Sequence, residues 1–150
     1  MLRPATPEDA VAIARVHRLA TRVSLPFLPE LHTPEEDLWF VRERLSANNT
    51  VWVAEVAGEV AGYVAFHDGW IDHLFVHPDH QGRGLGPRLL DKALEDGAER
   101  QLWTFQQNTR ARAFYEKRGF VAVEFTEGEG NEEKTPDVRY VRAAKNPASM

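Results

Sequence analysis

Apolar residues recur every three to four positions at the start of the chain, every second position in its middle, and in alternating blocks of both periods towards its end. Thr6-Pro7-Glu8-Asp9 reads as a helix start, with Thr6 as a hydroxyl cap, proline at the first helical position and acids at the positive end of the dipole. Ile13, Val16 and Ala20 then share one face. Two prolines in Leu25-Pro26-Phe27-Leu28-Pro29 end that helix. Thr33-Pro34-Glu35-Glu36 is a capping box that opens a second helix, with Leu38, Val41 and Leu45 as its buried stripe. After Asn49 the period becomes that of a strand: 51–56 and 59–66 flank the turn Ala57-Gly58 as a hairpin, His67-Asp68-Gly69 turns again, and 70–76 forms a third strand. The pattern then predicts a helix over 84–97, a strand over 102–106, a helix over 110–118 and strands over 121–126 and 137–141. Hairpins make the first strands antiparallel, and a strand, helix, strand order makes its two strands parallel if they share a sheet. The expected fold is therefore α/β, in the α+β sense, with helices flanking a mixed, mostly antiparallel sheet.

Composition narrows the chemistry. A chain of 150 residues, 43% hydrophobic and 27% charged, buries one sizeable core, so a single domain is expected over 1–142, followed by a frayed tail over 143–150. There is no cysteine, which removes disulfides, thiolate metal sites and a cysteine nucleophile. A net charge of −5 argues against nucleic acid as a partner. No apolar run approaches the length of a membrane span or a signal core, so a cytoplasmic location is expected.

The most informative stretch runs Leu74-Phe75-Val76-His77-Pro78-Asp79-His80-Gln81-Gly82-Arg83-Gly84-Leu85-Gly86-Pro87. A strand leads through a loop with glycines at alternate positions into a helix that carries Leu85, Leu89 and Ala93 on one face. Such a loop brings backbone N–H groups close to an anion, and the helix start adds unpaired donors and positive dipole. Arg83 and Arg88 add formal charge. A tight strand-to-helix turn without a ligand would use the same glycines. It is not a P-loop, because Gly86 is followed by Pro87-Arg88 in place of Lys-Ser/Thr. Nor is it a dinucleotide fingerprint, because the third glycine position holds Pro87 and the next strand ends in Gln106-Gln107 without an acid.

Gln81-x-x-Gly84-x-Gly86 between a strand and a helix resembles the pyrophosphate motif of the GNAT superfamily of acetyl-CoA-dependent N-acetyltransferases. A second stretch, Asn108 through Ala113-Phe114-Tyr115-Glu116-Lys117-Arg118-Gly119-Phe120, is similar to that superfamily's downstream signature. The resemblance covers roughly residues 1–142. It implies that the backbone of Leu74, Phe75 and Val76 binds the pantetheine arm and that Gly82, Arg83, Gly84, Leu85, Gly86 and Pro87, after Gln81, hold the pyrophosphate. It implies further that Asn108 contacts the coenzyme, that Tyr115 protonates the departing thiolate, and that strand 70–76 splays from strand 102–106 to admit the thioester. Pro87 departs from the pattern by lacking an N–H, one donor fewer for phosphate. The reaction implied is direct attack of an amine on the acetyl thioester in a ternary complex. The other readings are a non-catalytic acyl-CoA-binding or sensing module and a nucleotide-phosphate binder.

Tyr115 also fits on chemical grounds: a phenol of pKa about 10 suits a thiolate of pKa about 8.5, although Phe114-Tyr115 before Gly119-Phe120 is equally a packing pattern. The attacking amine must lose a proton. Alternation places Trp70, Asp72, Leu74 and Val76 on one strand face and Ile71, His73 and Phe75 on the other. Asp72 is the first candidate base, on resemblance to members that carry such a group there, and His73 the second. A solvated strand carboxylate is as good an account of Asp72. Metal is not expected: His73, His77 and His80 stand near Asp72 and Asp79, but strand residues four apart lie about 13 Å apart. Acids crowd the segment 124–137, which reads as a solvated hairpin able to attract a cation. The acceptor amine would meet Pro26 to Thr33 and the loop from Glu127 to Asp137; a homodimer is compatible with the sequence.

Overall fold

The computed structural model describes residues 1–145 and divides into two compact units, Met1–Glu95 and from Asp96 onward. In the first unit, β1 (Leu2–Pro4) pairs with β2 (Thr50–Val56), β2 with β3 (Glu59–His67) and β3 with β4 (Trp70–Val76), every pair antiparallel. The β2–β3 turn works as the sequence suggests, with Ala57 and Gly58 both at positive φ.

A 3-10 turn at Pro7–Asp9 leads into α1 (Ala10–Ser24), whose Ile13, Val16 and Ala20 are buried. Thr6 is the N-cap of the turn, in a capping box with Asp9. Asp9 reaches back to accept from the Thr6 backbone N–H at 2.8 Å and also accepts the Thr6 hydroxyl. The same carboxylate accepts from Nη1 and Nη2 of Arg3, at 2.8 and 2.9 Å, which holds its pKa down at about 2. The second capping box is complete: Glu36 N–H donates to Thr33 Oγ1 at 3.1 Å and Thr33 N–H to Glu36 Oε1 at 2.9 Å. It opens α2 (Pro34–Phe40), which continues through a π turn at Val41–Leu45 into α3 (Ser46–Asn48). The π turn carries Val41 and Leu45 to the interior.

Two helix layers cover the two faces of this four-stranded sheet. On one face Ile13, Val16, Val41 and Leu45 meet Val51, Val53, Tyr63 and Ala65 in a single core. On the other, α4 (Leu85–Ala93) packs on β2, β3 and β4 and buries Leu85, Leu89, Leu90 and Ala93. A Cβ on Gly62 would come within 2.9 Å of the Phe75 carbonyl and 3.1 Å of Leu89, so glycine there lets helix and sheet approach. The helix ends at Ala93, short of the expected Gly97, and Leu94 to Asp96 form a turn.

In the second unit β5 (Arg100–Phe105), α5 (Thr109–Lys117), β6 (Val121–Thr126) and β7 (Asp137–Arg142) follow in order. β7 lies between β5 and β6 and is antiparallel to both, so β5 and β6 run parallel to each other without touching. Tyr140 of β7 is fully buried, donates to Glu116 Oε2 at 2.5 Å and accepts from Arg112 Nε at 2.9 Å, which fastens α5 to the sheet. The acidic β6–β7 loop is ordered by its own polar groups: Asn131 bonds Thr135 from both ends of its amide, and Asp137 accepts from Thr126 and Asn131. A Cβ on Gly128 would meet the Thr135 backbone at 2.4 Å. Beyond β7, Lys145 N–H donates to Gly97 O at 2.8 Å, so the chain is held that far. The remainder of the expected tail, 146–150, lies outside the described residues.

Candidate active site

The glycine loop begins where β4 ends. Gln81 Nε2 donates back to the Val76 carbonyl at 3.2 Å and pins the loop to its strand. A short 3-10 turn, Pro78–His80, precedes it, capped by His77 Nδ1 accepting from the Asp79 N–H. Gly82 and Gly84 have φ of +78° and +81°, the left-handed region, and a Cβ on either would point into open space. Their glycines therefore serve backbone conformation, not packing. Gly84 caps α4, while Gly86 is a helical residue of the first turn, so the three glycines do different work. No backbone N–H from Gly82 to Gly86 donates to a loop or strand carbonyl among the described residues. Pro87 sits in the first helical turn, where its missing N–H breaks no helical bond. Arg83 and Arg88 are exposed, and among the described residues neither pairs with a carboxylate. Open donors, a helix start and two uncommitted guanidinium groups suit a pyrophosphate.

Immediately upstream, β4 carries a bulge. Ala65 pairs with His73 and Phe66 with Ile71, which leaves Asp72 without an opposite residue. Adjacent β3 residues face opposite ways, so Ile71 and His73 lie on opposite faces. This corrects the strict alternation expected over 70–76; the periodicity holds only from His73 onward. Asp72 is exposed, with an oxygen 3.6 Å from His67 Nδ1, too long for a hydrogen bond.

His73 faces the α1 side. Its Nδ1 is 2.8 Å from the Tyr63 hydroxyl, and its ring stacks on His17 of α1 at 5.0 Å and on Phe40 of α2 at 5.8 Å, with Phe75 edge-on at 5.4 Å. Burial pushes the His73 imidazole down to about 3, and His17 beside it adds to the effect. Burial likewise lowers His17, against Asp37 nearby, and raises the fully buried Tyr63 hydroxyl well above its ordinary value. Sequence reasoning named His73 but missed His17, Phe40 and Tyr63. A signal existed for His17, which falls on the same stripe as Ile13, Val16 and Ala20.

In the second unit, Asn108 caps α5: its Oδ1 accepts from Ala111 N–H at 3.2 Å, leaving the side-chain amide hydrogens free to donate. Tyr115 is buried edge-on to Phe114 at 5.1 Å and Phe120 at 5.4 Å. Its hydroxyl makes no hydrogen bond among the described residues, yet it is not among the polar atoms sealed from solvent. Burial raises its pKa, so it stays a neutral phenol. Gly119, at φ +92°, ends the helix. Among the described residues no three His, Asp or Glu side chains are grouped to hold a metal ion. No helix among them is long and apolar enough to cross a membrane. A groove of about 460 Å³ runs between α1 and α2, lined in part by Arg15, Arg18, Glu35 and Asp37; none of the sequence candidates lines it.

The Acetyltransferase (GNAT) family model matches residues 14–120, which takes in both motifs. The chain belongs to the GNAT family of acetyltransferases. It is 30% identical over 137 residues to a probable N-acetyltransferase, Rv2775, of Mycobacterium tuberculosis, a match covering 79% of this chain and 78% of that protein. It is 31% identical over 110 residues to an L-amino acid N-acyltransferase, MnaT, of Escherichia coli, covering 65% of this chain and 63% of that protein. In fold, the solution structure of apo YjaB from Escherichia coli superposes with a TM-score of 0.78 at 23% identity, covering 97% of this chain and 98% of that one. The GNAT protein is thus an acyltransferase of mixed α/β fold, in a family that generally uses acetyl-CoA.

Proposed function

We propose that this GNAT protein binds acetyl-CoA through the Gln81 to Pro87 loop and transfers its acetyl group directly to an amine in a ternary complex. The observation that carries the reading is the Gly82–Gly86 run of uncommitted backbone donors at the start of α4, flanked by Arg83 and Arg88. Leu74, Phe75 and Val76 would bind the pantetheine arm through their backbone. Asn108 would donate its free amide to the coenzyme, and Tyr115 would protonate the leaving thiolate. A phenol kept neutral by burial has its proton to give at any working pH. Asp72, exposed at the bulge two residues before Leu74, would receive the amine's proton directly or through water. The absence of cysteine supports direct transfer over an acyl-enzyme on sulfur.

Calorimetry tests the coenzyme site. Acetyl-CoA should bind more tightly than ATP or NAD, and Gly84→Ala should weaken it by about tenfold, because φ +81° is unfavourable for any side chain and the donors would turn away from the phosphates. Equal affinity for ATP would favour a nucleotide binder, and an unchanged Gly84→Ala would remove the loop from the site.

A further inference from the structure

The Tyr63 hydroxyl is wholly buried, and His73 Nδ1 is its one hydrogen-bond partner among the described residues. A buried hydroxyl whose proton points nowhere loses a full hydrogen bond, so the network assigns the proton to Tyr63 and the lone pair to Nδ1. Neutral His73 then carries its own hydrogen on Nε2. That atom has no protein partner among the described residues and is not sealed from solvent. The ring is fixed in place by stacking between α1 and α2, the two helices that bracket the loop from Pro26 to Thr33. His73 also directly precedes Leu74, where the pantetheine strand begins, about 3.3 Å of chain away.

We propose that His73 is a specificity-determining residue of the acceptor site, with Tyr63 positioning it so that Nε2–H donates to an oxygen of the acceptor. It does not take the amine's proton. The inference rests on the acetyl-transfer reading above. It names the acceptor class as amines with a carbonyl or carboxylate oxygen close to the nitrogen, as in amino acids and their amides. The physical reason is discrimination by an unpaired donor. An acceptor that displaces water from the His73 N–H without replacing its hydrogen bond leaves that group unsatisfied, whereas an oxygen-bearing acceptor satisfies it. The surrounding rings are uncharged, and the nearby carboxylate, Asp37, is already paired with Arg18 at 2.6 Å, so the stack offers little to a bare cation.

Two readouts test this. Ring ¹⁵N shifts of His73 in the free protein should show Nδ1 bare and Nε2 protonated, a pattern that Tyr63→Phe abolishes; the opposite tautomer overturns the proposal without reference to activity. In the second, kcat/KM is measured for phenylalaninamide and for phenethylamine, which differ by the carboxamide group, in the parent, His73→Phe and His73→Gln. Since each amine's own basicity enters every variant alike, the ratio between variants isolates the side chain. His73→Phe should lower kcat/KM for phenylalaninamide at least tenfold and for phenethylamine less than threefold, and His73→Gln, which restores a donor, should recover most of the loss. Equal losses for both amines, or no rescue by glutamine, overturn it. So does thiol release with another amine but with neither of these. Absence of thiol release with every amine, while acetyl-CoA still binds, would sink the acetyl-transfer reading instead.

Discussion

In the proposed reaction a tyrosine gives a proton and an aspartate takes one, while a histidine stays out of proton transfer, and the surroundings of each support that division. Tyr115 is packed edge-on between two phenylalanines and remains protonated. Asp72 stands exposed at a bulge, and His73 is held neutral in a ring stack. Tyr115→Phe keeps the packing and removes the proton, so kcat should fall by about 10² or more with acetyl-CoA affinity unchanged. A loss of thermal stability with kcat intact would reduce Tyr115 to a core residue. Asp72→Asn should lower kcat most near neutral pH and recover as pH approaches the amine's pKa of about 10, where no base is needed. A uniform loss at every pH would mean that the substitution only disturbed the bulge.

At the scale of elements, most of the architecture was legible because its signals are local. Thr33-Pro34-Glu35-Glu36 stated its helix start outright, and strand 70–76 is found at the bounds its alternation gave. The strand-to-helix loop was legible from glycines that the backbone does need at 82 and 84. What stayed hidden depends on partners remote in sequence. The β4 bulge is a mismatch with β3, so no pattern within 70–76 reveals that Asp72 has no opposite residue or that Ile71 and His73 part company. The Tyr63–His73–His17–Phe40 cluster draws on two strands and two helices, and only tertiary packing brings it together. The π turn after α2 and the end of α4 at Ala93 likewise have no proline or glycine at that point of the sequence to mark them.

For the molecule as a whole, the neutral histidines make stability depend on pH. His73 falls from about 6.5 in the unfolded chain to about 3 in the fold, and His17 also falls. Between those values the unfolded chain binds more protons than the folded one, so stability is full above about pH 6.5 and declines as pH drops towards 3. At pH 5 the loss from His73 is about 1–2 kcal/mol. Asp9 acts lower, between about 4 and 2, where protonation frees it from Arg3. Thermal unfolding should therefore show Tm falling from pH 7 to pH 5, with a shallower slope in His73→Phe; parallel slopes would mean that the imidazole is charged in the fold. The central claim, that the GNAT protein moves an acetyl group from coenzyme A to an amine, is tested most directly by thiol release from acetyl-CoA across a panel of amines, with each product weighed by mass spectrometry. The account predicts thiol release that requires the amine and matches it with one N-acetyl group per thiol. Tight acetyl-CoA binding without amine-dependent release would contradict it and leave an acyl-CoA-binding module.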